Sequence, residues 1–339
     1  MTSKDTTFLG FTPEQAAAYA AGRGTSYPRP LYQAILDYHT GERDLFLDVG
    51  TGPGKVVFDL LPDFKRGIGC DTSPQMIEQA RKDAHKHGQH IVDMTKFAVC
   101  GGEDCVKALS IEEVGQVDLI TVAMAVHWFD LPNFYSSAAR ALKPGGTLAI
   151  WTCSSNFAHP NTRNHKRVQT ILSDLEDGML KPYITPGNIL SRNGYEGLDL
   201  PWSIPETAGV FEESSFNRRD WDRGGVPSAP AQADGSPGKF LIEEKVTPEQ
   251  LEAALNAASM VVRWRAANPD KAHTEEDAVK LTAKRLKEAL GGNERFVASP
   301  SASLLLMRKA CWCRARLLSA DRSMQSKLVN WTDFVVESE

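Results

Sequence analysis

Phe46-Leu47-Asp48-Val49-Gly50-Thr51-Gly52-Pro53-Gly54 decides how the rest of the chain is read. An apolar run climbs to an acidic residue and breaks into three glycines at alternate positions, with a helix-like stretch from Lys55 to Leu61 directly behind. That is the profile of a buried parallel strand turning sharply into a helix, with bare backbone where a ligand can approach. A Cβ in such a turn would block both the bend and the bound molecule. Pro53 cannot donate a backbone hydrogen bond, but it is tolerated beside a helix start, where donors lack intrahelical partners anyway. The stretch predicts a nucleotide-like cofactor.

Working outward, the same unit recurs. Arg66-Gly67-Ile68-Gly69-Cys70-Asp71 reads as a second strand ending in an acid, and Thr72-Ser73-Pro74 caps a helix over Gln75 to His85. Asp71 lies about twenty residues beyond the glycines, where a βαβ cofactor site places a carboxylate on ribose hydroxyls. An ionised acid can accept from both of those donors; serving as the cap of the next helix is the plainer use of the same residue. Residues 96–104 form a third strand with Glu103 and Asp104 at its exit, and Val117 to Met124 a fourth, almost continuously apolar, running into Ala125-Val126-His127-Trp128-Phe129. A helix from Asn133 to Leu142, the turn Lys143-Pro144-Gly145-Gly146 and a fifth strand to Trp151 complete the series. Five alternations of strand and helix predict an α/β fold, a doubly wound and mostly parallel sheet with ligands at the carboxyl ends of its strands.

The flanks are less regular. Thr12-Pro13-Glu14 opens a helix through Ala21, and Leu31 to Tyr38 forms another; Tyr19, Arg23 and Tyr27 can be read as packing positions on the main domain. Beyond Ser154 the reading is a helical, substrate-facing cap over 153–290 with a Gly-, Pro- and Ser-rich exposed loop at 217–239. One long helix is expected from Thr247 to Ala267, another from Glu275 to Leu290. Phe296-Val297-Ala298 and Ser303 to Met307 are expected as an antiparallel hairpin at the sheet edge. Residues 1–309 thus read as one domain with its cofactor-binding core at 40–152, and 310–339 as a tail matching no pattern.

Composition narrows the partners. The 339 residues carry a net charge of -5, which draws the surface toward neither nucleic acid nor an anionic membrane. Six scattered cysteines, among them Cys70, Cys100 and Cys153, form no C-x-x-C pair and suit a reducing compartment. The first residues form no apolar targeting segment and no run reaches transmembrane length, so a cytoplasmic protein is expected. His85-Lys86-His87-Gly88-Gln89-His90 has a metal-like composition but sits at a polar helix end, and no metal is expected. Arg263-Trp264-Arg265 is too short to be a basic stripe.

Two cofactor classes fail on spacing. A P-loop needs G-x-x-x-x-G-K-[ST], whereas Gly54-Lys55 is followed by Val56 and position 49 is Val; a dinucleotide fingerprint needs G-x-G-x-x-G, against Gly50, Gly52 and Gly54 here. The whole series instead resembles the class I S-adenosylmethionine-dependent methyltransferases: Leu47 to Gly54, Asp71 with Thr72-Ser73-Pro74-Gln75-Met76, Glu103/Asp104, Ala123 to Trp128, and Leu142 to Gly146. Thr51 stands where the usual loop has Cys. Within that class the chain is similar to the fungal trans-aconitate methyltransferase group, through Tyr19-x-x-x-Arg23, Ser26-Tyr27-Pro28, Asp37 to Arg43, His127-Trp128-Phe129-Asp130, and Pro182-Tyr183 with Pro186-Gly187. The loop at 217–239 and the tail depart from that group.

The resemblance implies that the cofactor is S-adenosyl-L-methionine, with S-adenosyl-L-homocysteine as product. The Gly50 to Gly54 turn, with Gly50, Thr51 and Gly52, would run under the methionine moiety and Asp71 would hold the ribose, with Asp48 and Thr72 as further cofactor-binding positions. Met76 and Ala123 would flank the adenine, Glu103 and Asp104 would lie near its amine, and Tyr19 and Arg23 would close over the methionine end. Tyr27, Trp128, Trp151 and Tyr183 are candidate walls of an acceptor pocket, although each can also be core. His127, at a strand end, either takes a proton from the acceptor or only hydrogen-bonds it or the backbone. The expected activity is methylation of a small molecule, at oxygen of a carboxylate or hydroxyl. Methylation at nitrogen or sulfur, and an inactive protein that keeps the fold, are the alternatives.

Overall fold

The computed structural model describes residues 26–292 and 294–311. Seven strands lie side by side in the order β3-β2-β1-β4-β5-β8-β6: β1 (Leu45–Val49), β2 (Arg66–Asp71), β3 (Thr95–Val99), β4 (Val117–Ala123), β5 (Leu142–Ala158), β6 (Phe211–Trp221) and β8 (Phe296–Lys309). The short β7 (Lys245–Val246) pairs with the start of β8. Strands β1 to β5 pair in parallel, whereas β8 runs antiparallel between β5 and β6.

Alternation along the central strands sends side chains to two separate cores. In β1, Leu45, Leu47 and Val49 join Phe134, Tyr135 and Ala138 of the helix Leu131–Ala141, while Phe46 faces the opposite way. There it meets Leu31 and Ile35 of the helix Arg29–Tyr38, Val57 and Leu60 of Lys55–Leu60, and Ile77 of Pro74–His87. Helices therefore cover both faces of the sheet, and the central strands β1 and β4 are buried almost throughout. This is the doubly wound arrangement expected from the alternation of elements.

The cap is carried by the longest pair of strands. Past Trp151, the last residue paired to β4, β5 continues to Ala158 with β8 as its ladder partner. Helices His165–Ser173, Pro248–Leu255 and Ala278–Leu290 pack on the end of this arm through Val168, Leu172, Leu251, Leu286, Phe296 and Ala298.

Three expectations are corrected. The last strands are not an edge hairpin but a single 14-residue strand inside the sheet. Pro300 made it read as two, since proline cannot donate to a ladder, and it is accommodated at a bulge opposite Asn156. Residues 217–221 are not loop; they belong to β6, the true edge. Its exposed charges look loop-like in sequence because edge strands present polar groups to water. The long helix to Ala267 is two, Pro248–Leu255 and Ser259–Ala267, with Ala258 extended between them.

Candidate active site

The turn after β1 adopts left-handed backbone at Gly50, Gly52 and Gly54, with φ of 71°, 55° and 85°. Gly50 is needed for packing as well, because a Cβ there would lie 2.5 Å from Ala125 Cβ. Gly52 is the reverse case: a Cβ would meet nothing within 4 Å, so its bareness serves the open space above the turn. The amides of Gly50 and Thr51 both donate to the Cys70 carbonyl, at 2.8 and 2.9 Å, tying the turn to β2. Asp71 closes the same join. Its Oδ2 accepts from the Gly52 amide and its Oδ1 from the Ser73 amide, each at 2.9 Å. Burial pushes the Asp71 carboxyl above its ordinary range, and the backbone donors of Ser73, Gly52 and Thr72 oppose that rise.

Asp48 lies beneath the turn and is 1 % exposed. Its Oδ1 accepts from the Thr121 hydroxyl at 2.7 Å, while Oδ2 has no hydrogen-bond donor among the described residues. Burial raises its pKa to about 7, against the pull of the Thr121 and Thr51 hydroxyls and with the nearby Asp71 and Asp59 adding to the rise. An acceptor atom kept dry and unpartnered is costly unless something else in the working protein donates to it.

A cleft of about 1160 Å³ opens over these strand ends, and Gly50, Thr51, Gly52, Asp71, Thr72, Met76, Glu103, Ala123, His127 and Trp128 all line it. Ligand pockets commonly enclose roughly 300–1,000 Å³, so there is room for a cofactor and a second molecule. Beside it, Glu103 accepts from the Asp130 amide at 3.1 Å. At the end of β4 the chain is forced into left-handed backbone at Met124, φ 56°, where a side chain costs about 1–3 kcal/mol. The bend is held from below: the Met124 amide donates to the Trp151 carbonyl at 2.9 Å, and its sulfur accepts from the Cys153 amide at 2.8 Å. The next turn presents His127, whose Nδ1 lies 2.9 Å from the Tyr195 hydroxyl and whose ring packs on Trp128 at 4.4 Å.

A glycine turn, an acid at the end of β2 and a cleft for two molecules are also what known proteins point to. Residues 47–150 match the "Methyltransferase domain" family model. The "Probable S-adenosylmethionine-dependent methyltransferase CRG1" of Saccharomyces cerevisiae is 26% identical over 252 residues, covering 73% of this chain and 79% of the yeast protein. The Aspergillus candidus "Methyltransferase cfoB" is 30% identical over 181 residues, 52% of this chain and 54% of the other. The chain thus spans about half the length of that fungal relative. Among solved structures, one titled as a "Putative Type II Methyltransferase from Anaeromyxobacter dehalogenans" aligns over 85% of this chain and 97% of its own, with a TM-score of 0.56 and 22% identity; it is a likeness of fold. Together these likenesses support a class I S-adenosylmethionine-dependent methyltransferase.

S-adenosylmethionine fits the donor set of this methyltransferase. The open cradle over Gly52 and the lone pairs that Asp71 keeps beyond the Gly52 and Ser73 amides supply unobstructed backbone and acceptors, which suit a ribose diol.

The methyltransferase brings most of the residues singled out from sequence to one cleft, but not all. Tyr27 also lines it, edge-on to Trp151 at 5.4 Å with the Lys55 ammonium 5.7 Å from its ring centre. Asp104 does not reach the cleft; it is exposed and pairs with Lys107 at 3.0 Å, because the chain enters a 3-10 turn at Gly102 rather than continuing as strand. Trp151 is wholly buried beneath Tyr27 and Tyr32, as a residue of the central strand β5 must be. Tyr183 packs in the cap, its hydroxyl accepting from Asn268 at 3.0 Å and its carbonyl from Arg263 at 2.9 Å. Neither is a cleft wall. Tyr19 and Arg23 lie outside the described residues.

Several cleft residues carried no sequence signal. Tyr195 reaches His127 across 68 positions from a left-handed residue of its own, φ 62°. Ser155, Glu176 and Arg192 meet in the cap half. Arg263 and Arg265, grouped in sequence, serve different ends: Arg263 holds the Tyr183 turn, and Arg265 forms a buried pair with Asp277 at 2.7 Å.

Proposed function

We propose that this methyltransferase acts on a small molecule and transfers the methyl group to oxygen, with His127 as the residue that receives the acceptor's proton. The observation that carries the reading is the position of His127: in the wall of one continuous cleft, between the glycine turn at one end and the cap chamber at the other. When bound, S-adenosylmethionine supplies an electrophilic methyl: an acceptor oxygen lone pair forms the new bond while the carbon–sulfur pair stays on sulfur, and a hydroxyl acceptor must shed its proton.

The chain's own groups account for the rest. Burial keeps the Tyr195 phenol protonated, since it raises the pKa well above the ordinary value. The phenol oxygen and His127 Nδ1 lie 2.9 Å apart, and in the tautomer in which Nδ1–H donates to that oxygen the lone pair stands on Nε2, as a base requires. A carboxylate acceptor would not need that base, whereas a hydroxyl would. Gly52 and Asp71 orient the cofactor, and the cap excludes water, so that alignment does most of the work.

The test is calorimetric titration with S-adenosylmethionine and S-adenosylhomocysteine on wild type, Asp71→Ala and His127→Ala, followed by an acceptor screen. Binding lost in Asp71→Ala, and retained in His127→Ala with turnover reduced by about 10²–10⁴-fold, is the expected result. Full turnover by His127→Ala on every accepted hydroxyl would overturn the role of His127. Failure of the wild type to bind either ligand would overturn the enzyme reading.

A further inference from the structure

The cleft has a second polar station, away from the cofactor end. Past Trp151, β5 runs on for four residues to Ser155, about 13 Å at ~3.3 Å per residue. There Arg192 Nε donates to the Ser155 hydroxyl at 3.1 Å and lies 3.3 Å from Glu176 Oε2, while Arg192 Nη2 donates to Asp177 at 3.0 Å. The Ser155 hydroxyl also donates to the Glu176 carboxylate. Ser155, Glu176 and Arg192 all line the cleft, and the Glu176 side chain is only 14 % exposed. Around them the wall is largely aliphatic, with Leu175, Leu180, Leu251, Leu255, Met260 and Val261, and is interrupted by uncharged polar groups such as Asn156, Asn188 and Gln250.

The charges in this chamber exclude one acceptor class. Among the described residues, those lining its cap half with formal charge are Glu176, Glu244 and Arg192, and the single guanidinium is already engaged by Glu176, Asp177 and Ser155. The described wall therefore has an excess of acid. A di- or tricarboxylate needs paired cationic donors in place of its water. Here it would meet hydrocarbon, uncharged polar groups and carboxylates, with no second cation among the described residues of the cap half to offset its desolvation. A neutral molecule meets the opposite situation, since its body buries against the aliphatic wall and a hydroxyl hydrogen can be donated to Glu176.

We propose that the acceptor is an uncharged, elongated, largely apolar molecule with a reacting hydroxyl at the His127 end and a second hydroxyl donated to the Ser155–Glu176–Arg192 cluster, which makes Glu176 a specificity-determining residue. The inference rests on the methyltransferase reading of the cleft and decides between the carboxylate and hydroxyl acceptors that reading leaves open. Glu176 acts by accepting a hydrogen bond, with Arg192 and Ser155 holding its carboxylate in place.

The probes are a stilbene with phenols at both ends, its analogue without the far phenol, its analogue with a carboxylate in place of the far phenol, and trans-aconitate. Each is titrated into the full chain saturated with S-adenosylhomocysteine, for wild type, Glu176→Gln and Ser155→Ala. Wild type should bind the diphenol at least tenfold more tightly than the monophenol and the carboxylate analogue. Glu176→Gln and Ser155→Ala should narrow the gap between diphenol and monophenol, with S-adenosylhomocysteine affinity unchanged. Preference for trans-aconitate or the carboxylate analogue, binding of none of the stilbenes, or discrimination untouched by both substitutions would overturn the proposal. Loss of S-adenosylhomocysteine binding by wild type would instead overturn the reading beneath it.

Discussion

Replacing Asp48 by Asn should stabilise the free protein at neutral and alkaline pH while weakening the cofactor site. The carboxyl titrates near 3.9 in an unfolded chain but only at about 7 when buried under the glycine turn. Between those values the folded state holds a proton that the unfolded state has released, so this residue makes stability fall as pH rises from about 4 to 7, and adds no further slope above that. A displacement of about 3 pH units at ~1.4 kcal/mol per unit sets a ceiling of about 4 kcal/mol on the loss. An Asn side chain retains an oxygen for the Thr121 hydroxyl and has no charge to bury. Asp71 and Glu176 are also displaced upward by burial, so the slope for wild type alone is a composite. The difference between variant and wild type cancels most of it. Urea unfolding of both proteins from pH 4.5 to 8.5, without ligand, should therefore give a gap that widens in favour of the Asp48→Asn variant by a few kcal/mol and levels off above pH 7. A gap independent of pH would refute the argument that Asp48 is a buried acid held against its own ionisation. At pH 7.5 the same variant should bind S-adenosylmethionine more weakly, because Oδ2, which has no donor among the described residues, would be replaced by an amide that donates.

Two further outcomes follow from particular contacts. Gly52→Ala should lower thermal stability only by the backbone strain of a left-handed residue, about 1–2 kcal/mol, yet abolish cofactor binding by filling the cradle. Gly54→Ala should unfold more readily, since its Cβ would also lie 2.9 Å from the Phe97 ring; equal melting temperatures for the two would count against this division. Asp277, held down to about 2 by the Arg265 guanidinium and backbone donors, contributes stability that is full above about pH 4 and lost as pH falls toward 2. Asp277→Asn should accordingly cost about 2–3 kcal/mol at pH 7 and little at pH 2.5 in denaturant titrations, and an equal loss at both would refute the assignment.

The cofactor half of this protein was legible because its chemistry is local. Strand periodicity, three glycines in a turn and an acid at the next strand end are properties of consecutive residues, and each must be met within a few positions of chain. The same locality explains the errors. Pro300 broke a strand in sequence that a bulge opposite Asn156 repairs in space, and the charges of β6 concealed an edge strand. Asp104 and Glu103 are neighbours in sequence, but the 3-10 turn sends them to different surroundings.

What the sequence by itself determined is the doubly wound core, the cofactor class and the end of the sheet where the ligand sits. What only the tertiary structure decided is the acceptor side: that Tyr195 reaches His127 from 68 residues away, that Trp151 is core and not wall, and that Ser155, Glu176 and Arg192 converge beyond the sheet. The physical reason is contact range. The groups proposed for the cofactor lie on turns whose conformation neighbouring residues impose, whereas those proposed for the acceptor are side chains from separate elements, and packing alone brings those together.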